Sequence, residues 1–305
     1  MRFLLTLWFS VILAATAEAE CAGRIISKHV LSPPICVPAI AQRVVTLDAF
    51  YNLGMALELD VPIVGAPLFT AFDAGLRAQA ERSSIVDIGD FKQPSLEKIA
   101  GLRPDLIIGS RQFHSQIYGA ASRIAPTVLI DAVDWKDHYL AVGEITGRLD
   151  AARRLIGSYD DRIAAIRSRV PNVKVSVIRI APHGFHVYLD GPFSYAPYAV
   201  LREAGVKRPA YETTTSDAVF KRPDWEEIAA FDGDILLYVV FNGQDPSQES
   251  ALETATIANP LWQMLPAVRA GRAHRVDRDA WMGFNNLASA HRVLDDIERF
   301  VLETP

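Results

Sequence analysis

Aromatic, acidic and basic side chains follow many of the predicted strands of this chain. Those predicted to contact a ligand are Tyr51, Phe91, Lys92, Arg111, Phe220, Trp281 and Phe284. Further candidates are Asp48, His114, Arg179, His183 and Lys221. Ligands of open α/β sheets gather at the carboxyl ends of strands. Rings pack on an organic shell and basic groups complement anionic donor oxygens, so the pattern predicts a site for a bulky chelate. For Trp281 and Phe284 the alternative is packing in the core. For the lysines and arginines it is an ordinary surface position.

Two histidines, His183 and His186, form a His-x-x-His pair that could hold a metal or haem iron. They lie in a predicted loop without an acidic third ligand nearby, so a polar loop is favoured and no metal site or cofactor is predicted. The chain contains no Gly-x-Ser-x-Gly, His-Glu-x-x-His or Gly-x-x-x-x-Gly-Lys-Ser/Thr motif. We therefore predict no catalysis. A hydrolase stays an alternative because missing motifs are weak evidence.

One unit of sequence occurs twice, in residues 94–108 and 223–237. Pro, Glu, Ile, Ala and Asp stand at matching positions in the two copies, 129 residues apart. Copies so far apart indicate two similar lobes and not a short-period solenoid. Glu97 and Glu226 then occupy equivalent places on the two lobes, which makes this pair the main functional lead. The alternative is that acids favour the first turn of any helix.

Each copy predicts a short helix, a turn and a buried strand. Ser95 is the predicted N-cap of the first helix, and Asp224 with Glu227 forms a capping box for the second. A continuous apolar run then ends each copy, as in a strand covered on both faces.

Alternating short strands and helices predict mainly parallel α/β sheets. The helix at residues 150–170 carries an apolar stripe formed by Ala152, Leu155, Ile156, Tyr159, Ile163 and Ile166. It lies midway between the repeated units and would be about 30 Å long. We therefore predict an N-terminal α/β lobe at residues 20–149, an interlobe helix, and a C-terminal α/β lobe at 171–305. An ordinary helix within one domain is the alternative.

The N-terminus predicts export. Arg2 precedes an apolar run, residues 3–15, that is too short to span a bilayer. Small residues then mark cleavage after Ala19 or Ala17, which predicts a signal peptide at residues 1–19 and a periplasmic protein. An uncleaved anchor is the alternative.

The only cysteines, Cys21 and Cys36, lie close together in a chain predicted to be exported. This setting predicts a disulfide. A lipid-modified Cys21 is disfavoured by the charged residues 18–20. With 305 residues, half of them apolar, the chain can form two domains, and its net charge of −5 gives no reason to expect nucleic acid as a partner.

In its order of segments the chain resembles the periplasmic substrate-binding proteins of ABC importers for ferric siderophores and cobalamin. The segments are the signal peptide, residues 43–65, Ser95-Leu96-Glu97 with Pro104–Ile107, the long helix, and Trp281 with Leu294-Asp295-Asp296. The resemblance covers nearly all of the mature chain. It implies two α/β lobes bridged by one long helix, a ligand cleft between them, and little closure on the ligand.

The resemblance also implies roles for particular residues. Glu97 and Glu226 match surface glutamates that dock onto arginines of the inner-membrane permease, where fixed carboxylates orient the encounter. Phe91 lies where relatives place ligand contacts. Trp281 and Phe284 match an aromatic pair of hydroxamate-binding relatives. The expected ligand is therefore a ferric siderophore of hydroxamate type, and iron is expected to be bound only as part of that ligand. The protein is expected to be a monomer. Haem or cobalamin binding and a reused adhesion or signalling scaffold are the alternatives.

Overall fold

The structure, a computed structural model, describes residues 21–31, 34–68, 73–132, 134–243 and 246–303. In these ranges the strands are β1 (Arg24–Ile26), β2 (Ile35–Val37), β3 (Val44–Thr46), β4 (Ile63–Ala66), β5 (Val86–Asp87), β6 (Leu106–Ser110), β7 (Thr127–Ile130), β8 (Val175–Ala181), β9 (Gly184–Tyr188), β10 (Phe220–Lys221), β11 (Ile235–Val240) and β12 (Ala273–Arg275). The predicted signal peptide and its cleavage site lie outside the described residues.

The α-helices are α1 (Asn52–Glu58), α2 (Ala74–Arg82), α3 (Leu96–Gly101), α4 (Arg111–His114), α5 (Tyr118–Ala121), α6 (Trp135–Thr146), α7 (Leu149–Arg167), α8 (Ala196–Glu203), α9 (Glu249–Ile257), α10 (Pro260–Gln263), α11 (Pro266–Arg269), α12 (Arg278–Met282) and α13 (Leu287–Ile297). Shorter helical segments are the 3₁₀ helices Ala210–Glu212, Trp225–Ala230 and Pro246–Gln248, and the π-helical turn Glu298–Leu302.

The first sheet has the strand order β5-β4-β3-β6-β7, and its paired strands run parallel. Successive side chains of a strand point to opposite faces. In β6, Leu106 and Ile108 therefore enter a large core cluster, while Ile107 packs on the other face in a second, smaller cluster. Coverage of both faces explains the continuous apolar strands. We call this part of the chain lobe one.

The second sheet has the order β10-β9-β8-β11-β12 and forms lobe two. Strands β8, β11 and β12 are parallel, whereas β9 and β10 run antiparallel to their neighbours. Val175 and Val177 of β8 join the same large core cluster as lobe one, while Ile178 and Ile180 pack on the opposite face. The fold is thus two α/β lobes with mainly parallel sheets, as predicted, and the two lobes share one apolar core.

The long helix α7 lies between the two sheets along the chain and spans 19 residues, Leu149–Arg167. Its buried side chains are Ala152, Ile156, Tyr159, Ile163 and Ile166. The helix packs against α6 and α13. It begins one residue before the predicted range of 150–170 and ends three residues earlier, and such ends commonly fray. The proposed lobe boundaries at either end of the helix stay a prediction.

Helix α13 provides a second link between the lobes. The carboxylate of Glu58, on α1 of lobe one, accepts hydrogen bonds of 2.9 Å from the backbone N–H groups of both Leu287 and Ala288. A carboxylate is favourable at a helix N-terminus because the first N–H groups there have no partner within the helix. Arg292 of α13 also donates to Asp73 Oδ2 over 2.9 Å. The C-terminal helix is thereby anchored to lobe one.

The repeated unit folds differently in its two copies. In the first, the Ser95 hydroxyl accepts the N–H three residues later and caps α3, as predicted. In the second, the predicted short helix is present as a 3₁₀ helix, Trp225–Ala230, capped by Asp224. The predicted capping box is wrong, because Glu227 Oε2 instead accepts a hydrogen bond from the Tyr211 hydroxyl over 2.8 Å.

The N-terminal arm is fixed in two ways. A disulfide joins Cys21 to Cys36, next to the antiparallel pair β1 and β2. The Arg24 guanidinium donates to the carbonyl oxygens of Ala39 and Ile145, at 2.9 and 2.8 Å, and so ties the arm to α6. Across the described ranges, the structure contains no helix both long and apolar enough to cross a membrane.

Candidate ligand-binding cleft

A cleft of about 880 Å³ opens between the lobes. Lobe one lines it from the carboxyl ends of β3, β6 and β7, as expected for a parallel sheet. Lobe two contributes the end of β9 and the loops at residues 193–195 and 217–219, and residues 282–285 complete the wall. The cleft is large enough for a bulky organic ligand.

Aromatic rings make up much of this wall. They are Phe50, Tyr51, Phe113, Tyr188, Phe193, Tyr195, Phe220 and Phe284. Phe193 and Phe220 stay 44% and 43% exposed at the lobe-two side. Large apolar side chains that remain in contact with water inside a concave site mark a ligand surface, because covering them removes apolar area from water.

A buried polar chain runs behind the rings. Asp48 Oδ2 accepts a hydrogen bond of 2.5 Å from the Asn52 side-chain amide, and Asn52 Oδ1 accepts one of 2.8 Å from His138 Nε2. Burial lowers the pKa of His138 to about 4, although Asp48 acts in the opposite direction. The ring is therefore neutral at pH 7. Because Nε2 carries the hydrogen, Nδ1 is a hydrogen-bond acceptor.

The tyrosines of the cleft are neutral hydroxyl groups. Burial, and then the neighbouring Asp48 carboxylate, raise the pKa of the Tyr51 phenol above its ordinary value. Burial likewise raises the pKa of Tyr195, whose hydroxyl donates to the Met282 carbonyl oxygen over 3.2 Å. This bond attaches the lobe-two loop to the segment that follows α12.

The family comparison agrees with this architecture. Residues 44–280 match the family model described as periplasmic binding protein. The chain belongs to this family. The matched range includes both sheets, α7 and most of the cleft, so the membership applies to the two-lobe unit as a whole.

Relatives of this binding protein include the probable siderophore-binding lipoprotein YfiY of Bacillus subtilis. The two are 28% identical over 290 residues, which are 91% of this chain and 87% of the relative. The achromobactin-binding periplasmic protein of Dickeya dadantii is 28% identical over 225 residues, 71% of this chain and 72% of that protein.

Solved structures share the fold. Staphylococcus aureus SirA complexed with staphyloferrin B has a TM-score of 0.75 at 23% identity, over 90% of this chain and 97% of SirA. The siderophore-binding protein BauB has a TM-score of 0.73 at 24% identity, over 92% of this chain and 100% of BauB.

Of the seven predicted ligand contacts, Tyr51, Phe220 and Phe284 line the cleft of this binding protein. Trp281 does not, and its predicted contact is wrong: it is fully buried and its indole N–H donates to Asp296 Oδ2 over 2.7 Å. Helix α12 turns Trp281 into the core, whereas Phe284 follows the end of that helix. Core packing was therefore the right alternative for the tryptophan, and Phe284, 2% exposed, belongs to the same core cluster while it also lines the cleft.

Phe91 lies behind the wall instead of in it. Its ring packs edge-on against Phe50 and Phe113, with centroids 5.0 and 5.3 Å away, and both of those rings line the cleft. The buried His114 holds this loop, because its Nε2 lies 2.9 Å from the Phe91 carbonyl oxygen. Phe91 thus supports the aromatic wall from outside it.

The predicted basic contacts also lie outside the lining. Lys92 is exposed beside the Phe91 ring, and Arg111 forms an ion pair with Asp131, itself a lining residue. Lys221 donates to the backbone of Tyr211 over 2.8 Å. The prediction of a basic cleft is therefore wrong for the lining that the structure describes.

The loop predicted for the histidine pair is wrong for His186, which lies in β9 because that strand pairs with β8. Nε2 of His186 accepts a hydrogen bond of 3.1 Å from Arg222 Nε, and His183 is exposed. Burial, then the Arg179 and Arg222 charges, lower the pKa of His186 to about 4. Within the described ranges, no group of three or more His, Cys, Asp or Glu side chains is placed to hold a metal ion.

Glu97 and Glu226 are both exposed, at the first turns of α3 and of the 3₁₀ helix Trp225–Ala230. In the part of the chain that the structure describes, neither carboxylate takes part in an ion pair. Both are therefore available to a partner outside the chain.

Sequence reasoning missed five of the lining aromatic residues: Phe50, Phe113, Tyr188, Phe193 and Tyr195. Phe50 and Phe113 could have been found, since each lies within two residues of a predicted contact beyond a strand of lobe one. Tyr188 could not, because it ends the antiparallel strand β9, where the rule for parallel strands does not apply.

Proposed function

We propose that this protein captures a ferric siderophore in the periplasm and delivers it to an inner-membrane ABC permease for iron import. The observation that carries the proposal is the aromatic cleft of about 880 Å³ between two lobes that share a core. Relatives named for binding a siderophore, achromobactin or ferric anguibactin support it. In this proposal the iron enters with the ligand, and the chain itself performs no catalysis.

A hydroxamate chelate is the ligand type we propose. Its organic shell would pack on the rings of Tyr51 and Phe284, which lie edge-on to each other at 6.3 Å. Phe284 alone of the predicted aromatic pair supports this choice, since Trp281 lies in the core. The alternative ligands are haem and cobalamin.

We propose that Glu97 and Glu226 dock the protein onto the permease by contacting permease arginines. We also propose that the protein is a monomer. Exposed charges at the rim of an interface chiefly orient the encounter. Their positions on the corresponding units of the two lobes would define one docking orientation.

Tryptophan fluorescence of the purified mature protein tests the binding proposal. Trp135 packs edge-on against Phe284 at 5.5 Å, so a ligand seated on Phe284 changes the surroundings of a buried tryptophan. The titrants are ferric hydroxamates, ferric catecholates, ferric citrate, haem and cobalamin, and each iron-free siderophore is the control. We expect saturable quenching that requires iron and is strongest with a hydroxamate.

The outcomes separate the alternatives. A response to haem or cobalamin alone would replace the ligand and keep the transport role. No response to any titrant would overturn the proposal, and turnover of an ester or peptide would then favour a hydrolase. The variant Trp135→Phe should lose most of the signal while equilibrium dialysis still measures the same affinity.

A further inference from the structure

The charged side chains that line the cleft, within the part of the chain that the structure describes, are carboxylates. Among the lining residues that the structure describes, the acids are Asp48, Asp131 and Asp217, and Lys and Arg are absent. The internal segments outside the described ranges, residues 32–33, 69–72, 133 and 244–245, contain no Lys or Arg either. The charge of the site is thus opposite to that expected for an anionic ligand.

The three acids differ in how far their charge is compensated. Asp131 forms an ion pair with Arg111. Asp48 is 2% exposed and accepts hydrogen bonds from the Asn52 side chain and from two backbone N–H groups. Asp217 is exposed at the lobe-two side of the cleft, and no ion pair reaches it in the described part of the chain. Asp217 is therefore the acid most open to a ligand.

The basic side chains near the cleft have partners within the protein, including Arg222, which stands 5.0 Å from the Phe220 centroid and donates to His186 Nε2. Lys221 Nζ donates to the Tyr211 carbonyl oxygen and stands over its ring, 4.0 Å from the centroid. The Arg179 guanidinium donates to the Phe241 carbonyl oxygen over 3.1 Å. His138, the one lining histidine in the described ranges, is neutral at pH 7 because burial lowers its pKa. None of these lysines and arginines is itself a lining residue of the cleft.

We propose that the cleft selects ferric chelates whose net charge is zero or positive and disfavours anionic ones. This inference rests on the proposed function. Three hydroxamate groups balance Fe³⁺ and give an uncharged core, whereas citrate and catecholate chelates keep excess negative charge. An anion in a partly dry cleft loses hydration and meets like charge without a basic partner. A ligand ammonium group instead has Asp217 as a partner.

One chelate in three charge states tests the inference. Ferric desferrioxamine B has a free ammonium group and a net charge of +1, its N-acetyl derivative is neutral, and its N-succinyl derivative is −1. The iron centre is the same in all three. We expect the succinyl form to bind about tenfold more weakly than the acetyl form, and the ammonium form at least as tightly as the acetyl form. Salt at 0.5 M should reduce the differences in affinity among the three forms, because salt screens interactions between charges.

Variants locate the charge effect. Asp217→Asn should reduce the affinity ratio of the ammonium and succinyl forms severalfold. Asp161→Asn, an exposed acid on α7 outside the lining, should leave that ratio unchanged. Equal affinities of the three forms in the wild-type protein, or an unchanged ratio in Asp217→Asn, would overturn the inference.

The panel of chelates separates this inference from the proposed function. Tight binding of ferric citrate or a ferric triscatecholate, with no binding of the three desferrioxamine forms, would overturn charge selection and leave siderophore capture in place. Failure of every ferric chelate, whatever its charge, would overturn the proposed function and this inference with it.

Discussion

His138 shows how burial determines the charge of a single side chain in the cleft. Desolvation lowers the pKa of its imidazole to about 4, below the ordinary value near 6.5. The unfolded chain therefore binds more protons than the folded one between these two pH values. The stability linked to the neutral ring is complete above about pH 6.5 and is lost progressively as the pH falls toward 4.

We expect His138→Gln to flatten this dependence. Glutamine keeps an amide donor for Asn52 Oδ1 but does not titrate. Between pH 7 and 4 the free energy of unfolding should fall by up to roughly 3 kcal/mol less in the variant than in the wild-type protein. Urea unfolding at a series of pH values measures the difference, with the exposed His183→Gln as matched control. Parallel curves for wild type and His138→Gln would contradict this account.

The cleft also shows how far single residues can be predicted. The carboxyl end of β3 placed Tyr51 near the cleft because a chain that leaves a parallel sheet must pass its edge. The same rule gives no side-chain direction. Trp281 and Phe284 are three residues apart, yet the end of α12 between them sends one into the core and the other into the wall.

At the scale of elements, apolar runs correctly predicted the parallel strands of both sheets, but β9 and β10 lie where loops were predicted. Two features were not predicted: the β8–β9 hairpin, whose connection is only Pro182 and His183, and the 3₁₀ form of the second repeated helix. The antiparallel direction of β9 and β10 arises from their pairing. The 3₁₀ form of Trp225–Ala230 accompanies the bond between Glu227 and Tyr211, which no capping pattern contains.

Helix α1 lies close to Asn285 of the cleft wall, and a substitution in this helix tests that contact. A Cβ atom at Gly54 would lie 2.3 Å from Asn285 Oδ1 and 2.5 Å from its carbonyl oxygen. Asn285 is 2% exposed and lines the cleft, so it has little space to retreat. Gly54→Ala should therefore lower the melting temperature and weaken ligand binding, although alanine favours the helix by about 1 kcal/mol.

The matched control for this substitution is Gly157→Ala, in the interior of α7, where an added Cβ meets nothing within 4 Å. This variant should gain up to about 1 kcal/mol of stability. Its ligand affinity should not change. Calorimetry and fluorescence titration of both variants measure these effects, and a stabilised Gly54→Ala would show that residues 283–285 are not held by α1.

At the scale of the whole molecule, one shared apolar core joins the two lobes. Alternate side chains of the β6 and β8 strands enter one cluster that continues through α6, α7 and α13. Because interiors are packed to crystal-like density, a wide hinge motion would open this cluster. The repeated unit in the sequence indicated two lobes, but it could not show that they share a core.

Permease docking, as we propose it, depends on one glutamate from each lobe. Reversing both charges in Glu97→Lys/Glu226→Lys should abolish uptake of the ferric ligand in cells, since each lobe would repel the permease arginines we propose as partners. The affinity of the purified variant for the ligand should stay within about twofold of wild type, because neither carboxylate lines the cleft.

The matched control is Asp150→Lys/Asp161→Lys, which makes the same change in net charge on the exposed side of α7. Uptake should be normal in this variant, since the location of the charges and not their sum is what docking requires. Normal uptake with both glutamates reversed would reject the docking role. Loss of uptake in both double variants would instead attribute the effect to net charge. A single reversal should leave partial uptake, because one lobe would still present its carboxylate to the permease.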